Sequence, residues 1–203
     1  MLALDVWLIM RRQRYAREIE RLRSSMTDAE RRRADMLGAE SENKLRIMVE
    51  LVRRQATLDQ ELHLSVALDS GMMYLEREGA LLREMTIQVG PERAVGTPPD
   101  TVRMVVPRGQ RTVERLLGPG DAWEIPRWVY ADRGVPEPAE RTLKGALGPT
   151  AIVLTGGTVI YSMPSVGPLN DSSYVMPGAV RARAADLRAI APNLQPGQAV
   201  YFY

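Results

Sequence analysis

No residue of this 203-residue chain can supply a thiolate, because cysteine is absent from it. Disulfides, thioester nucleophiles and every zinc site built on sulfur are excluded with it. A single histidine, His63, cannot make a His-rich metal site on its own. Hydroxyl nucleophiles remain: Ser162, Ser172 and Ser173 sit close together in sequence. A serine without a base is a poor nucleophile, and the only lysine beyond residue 62 is Lys144. Asn170-Asp171-Ser172-Ser173 reads more simply as a polar turn. Arg181 has a planar guanidinium able to clasp a carboxylate, or to pair with Asp171 or Asp186. The aromatics Trp123, Trp128, Tyr130, Tyr161 and Tyr174 suit either a groove or a core. The expectation is no catalytic residue, no metal site and no cofactor.

Two regions of different period must position these groups. From about Asp5 to Asp59 there is no proline and good helix formers dominate, which predicts one long amphipathic helix. Tyr15, Ile19, Leu22, Met26 and Ala29 recur at coiled-coil spacing, and Leu37, Met48, Leu51, Leu58 and Leu62 continue it displaced by one residue. Such a stripe packs against a second copy, another protein or the chain's own domain. Residues 1–10 are mostly apolar and precede Arg11, Arg12, Arg14 and Arg17, the order of a membrane-associated or packing segment and its basic flank. Asp5 and the shortness of the run argue against a full span, and the charge follows the apolar run instead of preceding it as in an export signal.

At Leu62 the period becomes two. Leu62, Leu64, Val66 and Leu68 alternate with His63, Ser65, Ala67 and Asp69, a half-buried strand with His63 on its exposed side. Strands over Met72–Glu78 and Ala80–Val89 follow, joined at Gly79. Beyond residue 90 come short strands over 102–106, 151–154, 159–163 and 199–202, and one short helix over 186–190 stopped by Pro192. Mixed short strands with few helices predict a curled β-sandwich or barrel. The fold class is α+β, mostly β, with residues 1–10, 11–61 and 62–203 as the successive parts. A net charge of +2, from 27 basic and 25 acidic residues, gives no field that implies nucleic acid.

The order of these pieces resembles the catalytic domain of L,D-transpeptidases of the YkuD type, over about residues 62–203. Tyr74 to Arg83 with Val89-Gly90 is similar to that family's opening hairpin. Val106-Pro107-Arg108-Gly109 resembles its Thr-Pro-x-Gly turn, and Trp123 to Trp128 an aromatic segment ahead of the active site in some members. Gly156 to Ser162 resembles the strand that ends Ile-His-Gly or Ile-His-Ser, with Tyr161 where the histidine belongs. Met176-Pro177-Gly178-Ala179-Val180-Arg181 stands where the family carries Ser-His-Gly-Cys-Ile/Val-Arg.

The resemblance implies a domain that has kept glycine and arginine but lost the nucleophile and its base. Ala179 offers a methyl group in place of a thiolate, and Pro177 offers neither an imidazole nor a backbone N–H. A remnant pocket for a ligand or partner would comprise Tyr161, Ser162, Tyr174, Met176, Pro177, Gly178, Ala179 and Arg181, with Trp123, Trp128 and Tyr130 as its groove or lid. The expected protein is non-catalytic and sits in the bacterial cell envelope, membrane-associated at the periplasmic face, as a scaffold or peptidoglycan-contacting module. Alternatives are an accessory subunit of a membrane protein complex and a divergent acyltransferase with another nucleophile. Partners would be peptidoglycan or an envelope complex, with oligomerisation through the helix and no nucleic acid.

Overall fold

The computed structural model describes residues 27–96 and 101–203. Helix α1 (Asp28–Leu58) starts at a reciprocal cap. The Glu30 amide donates to Thr27 Oγ1 at 3.3 Å, and the Thr27 amide donates to Glu30 Oε2 at 2.9 Å. The chain divides into two compact units at Ile47/Met48, within this helix. In the first unit Met36, Leu37, Leu45 and Ile47 are exposed. In the second, Val52 and Ala56 bury against Tyr201, while Leu51 and Leu58 stay in solvent. Among the described residues no helix is long and apolar enough to cross a membrane. Residues 1–10 and the stripe from Tyr15 to Met26 lie outside the described residues.

The second unit is built on a closed eight-stranded barrel. Its strands are β1 (His63–Ala67), β2 (Met72–Arg77), β3 (Ala80–Val89), β6 (Gly109–Leu117), β9 (Ala151–Leu154), β10 (Val159–Ser162), β11 (Val180–Ala182) and β12 (Ala199–Phe202). Around the barrel they run β1-β12-β6-β9-β10-β11-β3-β2. The pairs β1/β12 and β10/β11 are parallel and the others antiparallel. Closure leaves no unpaired edge for another strand to join. Two short ribbons, β4 (Arg93–Val95) with β5 (Val102–Met104) and β7 (Ala122–Glu124) with β8 (Thr142–Lys144), stand outside it. Helix α2 (Arg127–Arg133) ends at Gly134, which takes the left-handed conformation that closes a helix (φ 63°). Helix α3 (Ala184–Ile190) ends where Pro192 shapes a single 3-10 turn.

Two cores use the two faces of the same strands, as a period of two requires. On β9 and β10, Ile152, Leu154 and Ile160 point into the barrel interior, where Leu187 and Ile190 of α3 also pack. Ala151, Val153, Val159 and Tyr161 point the other way, into a second cluster with Ile125, Val129 and Leu147. Both faces of β9 and β10 are therefore dry, and all eight of their residues are buried.

His63 departs from its expected exposure. It does lie on the outward face of β1, but the end of α1 and Tyr201 cover that face, and only 1% of it is accessible. Leu62 also leaves the helical stripe. The helix ends at Leu58, and Leu62 turns into the barrel interior. Phe202, the one phenylalanine, is fully buried in that interior. Replacing it with alanine should cost about 3–5 kcal/mol by chemical denaturation; a loss under about 1 kcal/mol would mean the barrel does not close around it.

Candidate functional site

The segment from Tyr174 to Arg181 is where the sequence concentrates its candidate residues, and β10 and β11 set its geometry. Their parallel register places Tyr161 beside Arg181 and Ser162 beside Ala182. Ahead of β11 the chain makes a tight turn, with the Ala179 amide donating to the Met176 carbonyl at 3.1 Å and Gly178 left-handed (φ 72°). The Gly90 amide holds the turn from outside, donating to the Ala179 carbonyl at 2.8 Å. Any side chain at Gly90 would collide with the turn, because a Cβ there would lie 1.9 Å from the Met176 carbonyl oxygen. Met104 and Val105 lie over Gly178.

Within this frame Ala179 has no open space beside it. It is 2% exposed and belongs to the second core with Tyr161, Tyr174 and Met176. Pro177 is buried as well. The Tyr161 ring is inaccessible to solvent, and its hydroxyl accepts a hydrogen bond from the Met176 amide at 3.1 Å. Burial pushes its phenol above the ordinary tyrosine range, opposed by that hydrogen bond and by Arg181, so it stays neutral. Ser162 is equally closed. Its hydroxyl donates to the Thr150 carbonyl at 2.9 Å and faces no base.

Arg181 is 6% exposed and spends every donor inside the protein. Its Nε donates to Gln88 Oε1 at 2.8 Å, and its Nη1 donates to the carbonyls of Asp171 and Tyr174, each at 2.8 Å. Its Nη2 donates to Gln88 Oε1 and to the Ser172 carbonyl, both at 2.5 Å. It pairs with neither Asp171 nor Asp186 through a carboxylate. The Asp186 carboxylate instead accepts from Arg83 at 3.0 Å and from Arg183 at 2.7 Å. Burial works to raise the Asp186 carboxyl, and these bonds outweigh it and hold it below its usual range.

A second set of charges braces the same loop. The Arg133 guanidinium lies 4.6 Å from the Tyr174 ring centroid, donates to the Pro168 carbonyl at 3.1 Å and pairs with Asp171 at 2.6 Å. The Tyr174 hydroxyl donates to Asp132 at 2.7 Å, and Arg93 also pairs with Asp132. Burial and Asp132 together push the Tyr174 phenol well above its usual range. Trp123 and Trp128 are half-buried against the second core, and Tyr130 is buried in it. A cleft of about 650 Å³ does open beside Gln88, Met163, Ser172 and Arg181, but Tyr161, Met176 and Ala179 do not line it. Among the described residues no three His, Asp or Glu side chains come together to hold a metal ion.

The chain is similar to solved L,D-transpeptidase structures. An L,D-transpeptidase from Xylanimonas cellulosilytica matches at 16% identity and a TM-score of 0.49, over 71% of this chain and 61% of that one. One from Mycobacterium smegmatis matches at 17% and 0.46, over 70% and 58%. A third, from Stackebrandtia nassauensis, matches at 10% and 0.46, over 70% and 55%. The chain thus spans less than two-thirds of the length of each of these. No family model and no curated protein matches it.

Gln88, Arg93, Asp132 and Arg133, which brace this turn, carry no signal in the sequence. They lie 35 or more residues from the groups they engage, and only the closed barrel and α2 bring them there. Tyr161→Phe removes the acceptor of a buried amide and should cost about 1–3 kcal/mol in urea unfolding. An unchanged midpoint would mean that amide finds another partner. Hydrogen bonds from the Ser173 hydroxyl and amide, then Arg133, lower the Asp171 carboxyl from 3.8 to about 2. Its contribution to stability is thus full above the ordinary carboxylate value and is lost as pH falls toward about 2. Asp171→Asn should lower the Tm at about pH 6 and converge with the unaltered chain near pH 2; an equal gap at both would show that the carboxylate charge is not what counts.

Proposed function

We propose that this chain is a non-catalytic L,D-transpeptidase-like module of the bacterial cell envelope, acting as a scaffold or a peptidoglycan-contacting element. The observation that carries this reading is the environment of Ala179. At the position that the motif order assigns to the nucleophile stands a methyl group, packed at 2% exposure beneath Tyr161, Tyr174 and Met176. A thioester route needs a thiolate and a base within reach of its proton. Here there is no thiolate and no imidazole, and Ala179 is packed among apolar side chains. The replacements also support one another. The phenol at 161 holds the Met176 amide, and Arg181 holds the loop that brings Tyr174 over the turn.

A rescue by serine finds little support. Ser162 is buried with its hydroxyl engaged, and the Ser173 hydroxyl donates to Asp171, whose carboxyl, lowered to about 2, is a weak base. His63 lies in a different packing layer, under α1. The exposed apolar residues Leu51 and Leu58 favour a partner surface over a small-molecule function and support the second reading, an accessory subunit of a membrane complex. Self-association through the helix belongs to the same proposal.

Two measurements separate these readings. Carbapenems acylate active members of the resembled family, so intact-mass analysis after incubation should show no adduct, and Ala179→Cys alone should restore no crosslinking, since no base returns with it. An adduct on the unaltered chain would favour the enzyme. Retention on insoluble peptidoglycan would support the wall-contacting reading, whereas co-purification with membrane proteins after mild detergent extraction, without such retention, would support the accessory subunit.

A further inference from the structure

The only histidine of the chain is enclosed by oxygen atoms on the outward face of β1. Its Nδ1 lies 2.9 Å from the Glu61 carbonyl oxygen and 3.8 Å from Asp59 Oδ2, both just past the end of α1. Its Nε2 lies 3.4 Å from Glu76 Oε2 on β2 and has no hydrogen-bond partner. That same carboxylate oxygen already accepts from the Ser65 hydroxyl at 2.6 Å. From β12 the Tyr201 ring meets the imidazole edge-on at 5.4 Å, with its hydroxyl turned to donate to Asp59. Burial and Asp59 push the Tyr201 phenol up to about 12, so it keeps its proton and adds no charge.

A neutral imidazole has one N–H and one bare lone pair. With the proton on Nδ1, the Glu61 carbonyl is satisfied and the bare Nε2 faces a carboxylate. With the proton on Nε2, Glu76 is approached by a donor and the bare Nδ1 lies 2.9 Å from a carbonyl oxygen. Each tautomer sets two acceptors against each other at ring nitrogens shut off from water, although the facing Glu76 carboxylate is itself partly exposed. Only the doubly protonated ring removes both conflicts, and it places a cation between Glu76 and Asp59.

We propose that His63 is held as an imidazolium that ties the end of α1 to the barrel, so that loss of its proton loosens that end.

As the sole histidine, its ring nitrogens give unambiguous signals in the full ¹⁵N-labelled chain. At about pH 7.5, where a free imidazole is mostly neutral, both should show protonated shifts. Amide exchange over residues 48–58, corrected for intrinsic rate, should lose about tenfold of its protection when the ring loses its proton. Glu76→Gln offers Nε2 an amide donor, tolerates the neutral ring and should abolish that loss. A neutral tautomer in the folded chain at that pH, or a loss of equal size in Glu76→Gln, would overturn the proposal. The ring measurement on the unaltered chain decides it even if the variant does not fold.

Discussion

The buried guanidinium of Arg181 is the contact on which the arrangement of the candidate site rests. A side chain with five donors and no acceptor cannot be taken out of water unless each N–H meets an oxygen. Here Gln88 and the carbonyls of Asp171, Ser172 and Tyr174 supply those oxygens. The loop is irregular and makes few ladder bonds of its own, so this is how its polar backbone is satisfied beneath the surface. Once the loop is held, Tyr174 and Met176 fall onto Tyr161 and Ala179, and the second core closes.

Barrel closure makes that contact available. Parallel pairing of β10 with β11 puts Arg181 beside Tyr161, and antiparallel pairing of β11 with β3 puts it opposite Gln88. An arginine that the motif resemblance marks as a candidate ligand group thus serves as an internal brace. Its charge is spent on carbonyl dipoles and leaves no donor for a substrate carboxylate. The aromatic and aliphatic groups around Ala179 then need no cleft, since they satisfy one another by packing. Arg133 and Asp132 add a second, more exposed tie to the same loop, and Asp171 links the two by pairing with Arg133 through its carboxylate and with Arg181 through its carbonyl.

Period and punctuation made much of the fold legible in the sequence. The hairpin joined at Gly79, the strands at 151–154, 159–162 and 199–202, and the short helix before Pro192 follow from alternation, glycine and proline. Short elements rich in charge did not announce themselves. Helix α2 reads Arg-Trp-Val-Tyr-Ala-Asp-Arg, and β7 and β8 have three residues each. His63 shows the limit most clearly. Alternation put it on the correct face of β1, but a period describes one strand, and the cover comes from α1 and β12, which no local pattern contains. Arg181 was legible as a residue of interest and illegible in role, because its partners are backbone carbonyls in a loop.

The protein's own side chains fill the space around Ala179, and we propose that no chemistry takes place there. Incubation of the purified chain with disaccharide-tetrapeptide muropeptides, followed by chromatography and mass analysis, tests it most directly. The account predicts that donor and acceptor stems are recovered unchanged. A crosslinked dimer or a shortened stem peptide, abolished by altering a side chain in the same cavity, would contradict it.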